Sequence, residues 1–336
     1  MKVVVVAPGR GTYGRSELGS LMRRHGRKPA LIGRWEALRR AAGRESLAAL
    51  DGAESFSVAR HMAGQNAAAL IFACGYADAQ DLAGVEVLAV TGNSMGWYTA
   101  LAVAGALSGD DGFLLADTMG SLMAERGRGG QVVYPVGGAD WVPDAARRTA
   151  VMEAAQAAGL MLSIDLGGLL VLAGETEALE RFEGAVPPVE GRFPLRLGGH
   201  AAFHTPLVAD VGVAGRRALA ALGFGQPRVP MIDGRGAVWW PHAVDPSALA
   251  DYTFGHQVAA PYDFARAIRV AAREFNPDAF VVLGPGDMMG GAVAQSLIAA
   301  DWRGLASRDD FMQRQAERPV ILSMGRDDQR AAVTGG

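Results

Sequence analysis

Residues 85–107 read VEVLAVTGNSMGWYTALAVAGAL, and the fold turns on how this stretch is parsed. Val85–Val90 is a short apolar run of strand length and β-branched content. It breaks at Gly92-Asn93-Ser94-Met95-Gly96, after which Tyr98, Leu101, Ala102 and Gly105 recur at helical spacing. Strand, G-x-S-x-G and helix in that order are the setting of a nucleophile elbow, a sharp turn that lifts a serine hydroxyl out at a helix N-terminus. The helix dipole and free backbone N–H groups there favour developing negative charge. The plain alternative is a tight strand-to-helix turn with an incidental serine.

Working outward, the chain has 336 residues, enough for one large core or two unequal ones. Half of them are hydrophobic and a fifth charged, the balance of an ordinary globular protein. Lysine and arginine number 32 against 35 acids, a net charge of −3 that gives no reason to expect a nucleic-acid partner. Cys74 is the only cysteine, so neither an intrachain disulfide nor a cysteine zinc site can form. Its run AAALIFACGYA is too short to span a bilayer, so no membrane role is expected. The start MKVVVVA leads straight into a strand without a signal-peptide pattern, which reads as a cytoplasmic protein.

Val3–Ala7 reads as a buried strand ending in the turn-forming loop Pro8-Gly9-Arg10-Gly11. A helix is expected from Ser16, followed by the basic run Arg23, Arg24, Arg27, Lys28, Arg34, Arg39, Arg40 and Arg44, a solvated face by default. A second helix is expected over Val58–Tyr76, with helices continuing past the elbow to Arg126. Beyond Gly127 the pattern changes to strand (131–136), helix (143–158), strand (160–166), strand (169–173), helix (175–183) and strand (193–197). That βαββαβ order over roughly 70 residues is the ferredoxin-like arrangement. A strand near Phe280–Leu283, the loop Gly284-Pro285-Gly286 and a Gly/Ala-rich helix follow, and the tail after Ala300 is weakly patterned apart from a strand at Val320–Ser323.

A serine nucleophile needs a base. Of six histidines, His204 lies in AAFHTPL, directly after the ferredoxin-like stretch. Ser94 in GNSMG, His204 in FHTPL, the early PGRG loop and the late LGPG loop together resemble the malonyl-CoA:acyl carrier protein transacylases and the acyltransferase domains of polyketide synthases. The likeness runs to about Ala300. It implies an α/β fold with an α/β-hydrolase-like large domain (1–127 and 198–336) and an inserted ferredoxin-like small domain (128–197). It further implies that Ser94 accepts the acyl group and His204 is its base, oriented by a carbonyl oxygen at Gln257, four residues before Pro261. Backbone N–H groups of Met95 and Arg10 would form the oxyanion hole. The substrates implied are acyl-CoA and acyl carrier protein, with coenzyme A or phosphopantetheine thioesters and no tightly bound cofactor or metal.

Three departures bear on substrate. Malonyl-selective members place an arginine 25 residues beyond the serine, where this chain has Met119. An unpaired carboxylate in a closed pocket costs several kcal/mol, so Met119 points to an acyl group without a terminal carboxylate. Asn93 and Trp97 replace a histidine and a glutamate beside the nucleophile. Trp97 then either caps the acyl tunnel or packs in the core. Arg10 replaces a glutamine, which puts a guanidinium by the pocket and offers a rival carboxylate site on the opposite wall. The tripeptide before the histidine, Ala201-Ala202-Phe203, is close to that of malonyl-type polyketide domains, with alanine at its first position, and pulls slightly toward malonyl, but charge pairing outweighs one pocket contour and Met119 decides. The leading reading is ping-pong acyl transfer. Alternatives are hydrolysis of acyl groups from carrier proteins on the same scaffold, an inactive carrier-protein binder, and a plain esterase using His256 with Asp233.

Overall fold

Val3, Val4, Val5, Val6 and Ala7 are all fully buried, as expected of a parallel strand covered on both faces. The computed structural model describes residues 1–335 and places this strand, β1 (Lys2–Ala7), inside a six-stranded sheet. Its partners are β2 (Glu86–Gly92), β7 (Met231–Ile232), β8 (Val238–Trp239), β10 (Ala279–Val282) and β11 (Ile321–Ser323), in the order β11-β10-β1-β2-β7-β8. All but β8 run parallel.

A second, five-stranded sheet is built from β3 (Gly130–Pro135), β4 (Met161–Asp165), β5 (Leu169–Gly174), β6 (Leu195–Arg196) and β9 (Tyr262–Asp263), in the order β6-β3-β5-β4-β9. Helix Ala145–Ala158 joins β3 to β4, and helix Thr176–Ala185 joins β5 to β6. The first four strands of that order pair antiparallel. The fifth, β9, comes from far later in the chain and pairs with β4 in parallel. The 128–197 boundary therefore cuts through a sheet that borrows one strand from beyond it.

Side chains alternate across a strand, and β1 uses both faces. Val3, Val5 and Ala7 pack among the helices of one layer, while Val4 and Val6 join Val132, Leu170 and Leu172 of the smaller sheet in the other. The two sheets thus share one buried layer.

Two expected helices are broken. A single helical turn at Arg15–Glu17 precedes helix Ser20–His25, and Val58–His61 is separate from helix Gly64–Ala79. The second break lets Gly64 press against helix Gly109–Arg126, where a Cβ would lie 2.4 Å from the Gly120 carbonyl. The tail carries two unforeseen helices, Arg308–Glu317 and Asp327–Thr334. The basic run is not a plain solvated face. Arg39 is fully buried and paired with Asp117 at 2.6 Å, Arg24 donates to the Met324 and Gly325 carbonyls, and Lys28 pairs with Asp81. Among the described residues no helix is long and apolar enough to cross a membrane.

Candidate active site

The turn between β2 and helix Gly96–Val103 holds Ser94 at φ 56°, a left-handed conformation uncommon for a residue with a side chain. The turn packs directly on the end of β1. The Asn93 N–H donates to the Ala7 carbonyl at 2.9 Å, and a Cβ on Gly96 would lie 2.3 Å from that same oxygen. The elbow is therefore pinned to the loop that begins at Pro8.

His204 is delivered by the segment leaving β6, also at positive φ (58°), with its N–H on the Val258 carbonyl at 3.0 Å. Its Nε2 lies 2.7 Å from Ser94 Oγ, and its Nδ1 lies 2.7 Å from the main-chain carbonyl of Gln257. A carbonyl only accepts, so Nδ1 carries the proton and Nε2 is left to accept from the serine hydroxyl. Burial pushes the His204 pKa down to about 4, against the opposing pull of the Gln257 carbonyl, so the ring is neutral near pH 7. Position 257 supplies its orienting oxygen through the main chain. The Gln257 side chain does something else: Nε2 donates to the Ser94 carbonyl at 3.0 Å, and Oε1 accepts from Tyr98 at 3.1 Å.

Among the described residues the backbone N–H groups of Met95 and Arg10 have no acceptor. Gly9 brings the Arg10 loop against the elbow, since a Cβ there would lie 3.3 Å from that of Ser94. Ser94, Met95, Arg10, His204 and Gln257 border one cavity of about 50 Å³, walled further by Met119, Met123, Ala68, Tyr98 and Phe203. A groove of about 510 Å³, also bordered by His204, runs past Met152, Gln156, Leu162, Thr205, Pro206 and Pro261. The two spaces meet at the histidine.

Ser94, His204, Gln257, Arg10, Met95, Met119 and Phe203 are thus gathered at one place. Asn93 and Trp97 are not. Trp97 is fully buried with its Nε1 on Thr253 at 3.0 Å and its ring edge-on to Tyr252, so it is a core aromatic. The Asn93 amide reaches Met289 Sδ at 3.9 Å, and Asn93 is not among the residues that wall the cavity. Met119 forms an apolar wall as expected, but Arg10 stands in the same cavity, so Met119 alone does not leave it without charge. The cavity residues not singled out were Ala68, Tyr98, Ala116, Gly120, Met123 and Val258. Met123 sits four residues after Met119 on one helix face, a spacing that could have exposed it.

The esterase arrangement is not assembled. His256 is exposed beside Tyr252, and the Asp233 carboxylate is taken by Arg235, Trp239 and two backbone N–H groups. Among the described residues the one His/Asp cluster with ligand spacing, His25, Asp78 and Asp81, already holds Arg330 and Lys28 as its cations.

No protein-family model matches the sequence, and no curated protein does. Solved structures match it closely in shape. The acyl-carrier-protein S-malonyltransferase of Burkholderia pseudomallei superposes with a TM-score of 0.76 at 19% identity, over 100% of both chains. The malonyl-CoA:acyl carrier protein transacylase of Xanthomonas oryzae does so at 0.71 and 22% identity, over 94% of this chain and 98% of its own. The chain has the transacylase fold. A type II polyketide synthase malonyl-transacylase, solved in complex with its acyl carrier protein, shares that fold at a TM-score of 0.75 and 17% identity, with 100% of both chains covered.

Proposed function

We propose that this protein is an acyltransferase that moves a short acyl group from a coenzyme A or carrier-protein thioester to acyl carrier protein through an acyl-Ser94 intermediate. The observation that carries it is the line Ser94 Oγ, His204, Gln257 carbonyl, joined at 2.7 and 2.7 Å beside two unoccupied N–H donors. In the first half-reaction Ser94 Oγ attacks the thioester carbon while its proton passes to His204 Nε2. The oxyanion is held by the Met95 and Arg10 N–H groups. The C–S bond then breaks and the sulfur leaves with the proton from His204. In the second half a phosphopantetheine thiol repeats the steps in reverse, and the histidine ends neutral. The groove beside His204 mixes apolar side chains with amide and hydroxyl groups, which suits a pantetheine arm. The malonyltransferase and the carrier-protein complex among the structures of this fold support the choice of thioesters and of carrier protein. In this reading residues 1–127 and 198–336 form an α/β-hydrolase-like domain and 128–197 a ferredoxin-like insert.

The test is intact-protein mass after exposure to acyl-CoA, followed by acyl carrier protein. Ser94→Ala should abolish the adduct, His204→Ala should slow it by orders of magnitude, and His256→Ala should leave it near wild type. Labelling lost in the His256 variant and kept in the His204 variant would refute the assignment. Free acid in place of acyl carrier protein product would mark a hydrolase.

A further inference from the structure

The peptide that joins Phe203 to His204 is held at both ends. Its N–H donates to the Val258 carbonyl at 3.0 Å, in the short helix His256–Ala259. Its C=O accepts from Ser163 Oγ at 2.8 Å, in β4 of the smaller sheet. Among the described residues no other group donates to the Phe203 carbonyl. Ser163 is fully buried and stands where the register of β4 on β5 slips. Leu162 lies opposite Leu172 and Ile164 opposite Val171, so Ser163 has no partner of its own on β5. Bulges of this kind re-aim a side chain and gather beside active sites. The hydroxyl has one way to point, because a carbonyl can only accept and the Ser163 O–H must donate to it. Its lone pairs accept from Gln131 Nε2 at 2.6 Å, and Gln131 Oε1 takes the Nδ1 proton of His200 at 2.8 Å. Burial brings the His200 pKa down to about 3, so that ring is neutral and the order of donors is fixed.

Resting on the acyl-serine reading above, we propose that Ser163 is a positioning residue for the acylation of Ser94. Its hydroxyl clamps the Phe203–His204 peptide and keeps His204 in the left-handed conformation that puts Nε2 on the nucleophile. A residue with a side chain holds a φ of 58° only where its surroundings over-determine it. The Val258 and Gln257 carbonyls supply two restraints, on the His204 N–H and on its ring, and both belong to one short helix. Ser163 supplies the restraint from the smaller sheet. Without its hydroxyl the Phe203 carbonyl is a buried acceptor with no donor, a state that favours turning the peptide toward water. The ring turns with it, loses the 2.7 Å contact with Ser94 Oγ and becomes hydrated.

The experiment follows acetylation of Ser94 in the full chain by p-nitrophenyl acetate, an activated ester that needs the serine and its base but no coenzyme A. Quenched intact-protein mass gives the rate from about pH 5.5 to about pH 7.5, and circular dichroism confirms folding. Ser163→Ala, a change that only removes an oxygen, should slow the reaction about tenfold to a hundredfold at the upper end. Its rate should fall further below about pH 6.5, where a hydrated imidazole takes up a proton and can no longer accept one from the serine. Wild type should be flat over the same range. Ser163→Thr keeps the hydroxyl and suits a strand, so it should return most of the rate and the flat profile. A folded Ser163→Ala protein with the wild-type rate overturns the proposal. So does one that is slower by the same factor at every pH, because that would leave His204 in place and make Ser163 a packing residue only. The profile of Ser163→Ala decides the matter even if the threonine variant fails to fold. A wild type that forms no Ser94-linked acetyl group would instead bring down the acyl-serine reading, and this one with it.

Discussion

Lowering the pH from about 7.5 to about 5.5 should leave the rate of Ser94 acylation almost unchanged, although the base is a histidine. An ordinary imidazole with a pKa of about 6.5 would be roughly nine-tenths protonated at the lower pH, and the rate would drop about tenfold. His204 is 3% exposed and held between Ser94 Oγ and the Gln257 carbonyl, and its pKa is lowered to about 4, so it remains neutral throughout that range. The same displacement acts on stability with a definite sign. Between about 6.5 and 4 the unfolded chain binds a proton at this position and the native chain does not, so stability falls as pH falls. At about 1.4 kcal/mol per pKa unit, the loss from His204 across that window is on the order of 3 kcal/mol. The assay is single-turnover acylation followed by quenched mass spectrometry, with circular dichroism at each pH to confirm that the chain is folded. A sigmoid centred near pH 6.5 in a folded protein would refute the argument, because it would mean that water reaches the ring in the working enzyme.

Two further substitutions probe how the site is held. Gln257→Ala keeps the main-chain carbonyl that orients His204 but strips partners from the Ser94 carbonyl and the Tyr98 hydroxyl, so urea unfolding should show a loss of about 2–4 kcal/mol with kcat reduced less than about tenfold. A kcat loss beyond about a hundredfold in a folded variant would put the side chain in the orienting role. Gly9→Ala places a Cβ 2.6 Å from the Asn93 carbonyl, which should push the Arg10 N–H out of line and cost about a hundredfold in kcat, with KM little moved. Unchanged steady-state kcat would remove that loop from the oxyanion site.

Much of this architecture was legible because it is written in short-range signals. The elbow announces itself by a change of period across two glycines, and the strands and helices of the smaller sheet fall within a few residues of their expected ends. What escaped was decided by distant partners. The break at Met62 exists because Gly64 meets Gly120 on another helix. The burial of Arg39 depends on Asp117, 78 positions away. For Trp97, a helix position next to the nucleophile fixes nearness in sequence but not direction, and the side chain points to Thr253 rather than the cavity. Position 257 shows a subtler limit: a residue type suggests what a side chain offers, whereas the group used on His204 is the one every residue has.

β9 has a consequence for how such chains can be recombined. Tyr262 pairs with Ile164 in the smaller sheet, and its hydroxyl donates to the Gly92 carbonyl, at the root of the elbow, at 2.6 Å. A graft that exchanged residues 128–197 for those of another protein would leave this short strand facing a foreign edge. The error would be felt first at Gly92, two positions from the nucleophile, so the segment is not a cassette and its outer edge is part of the host.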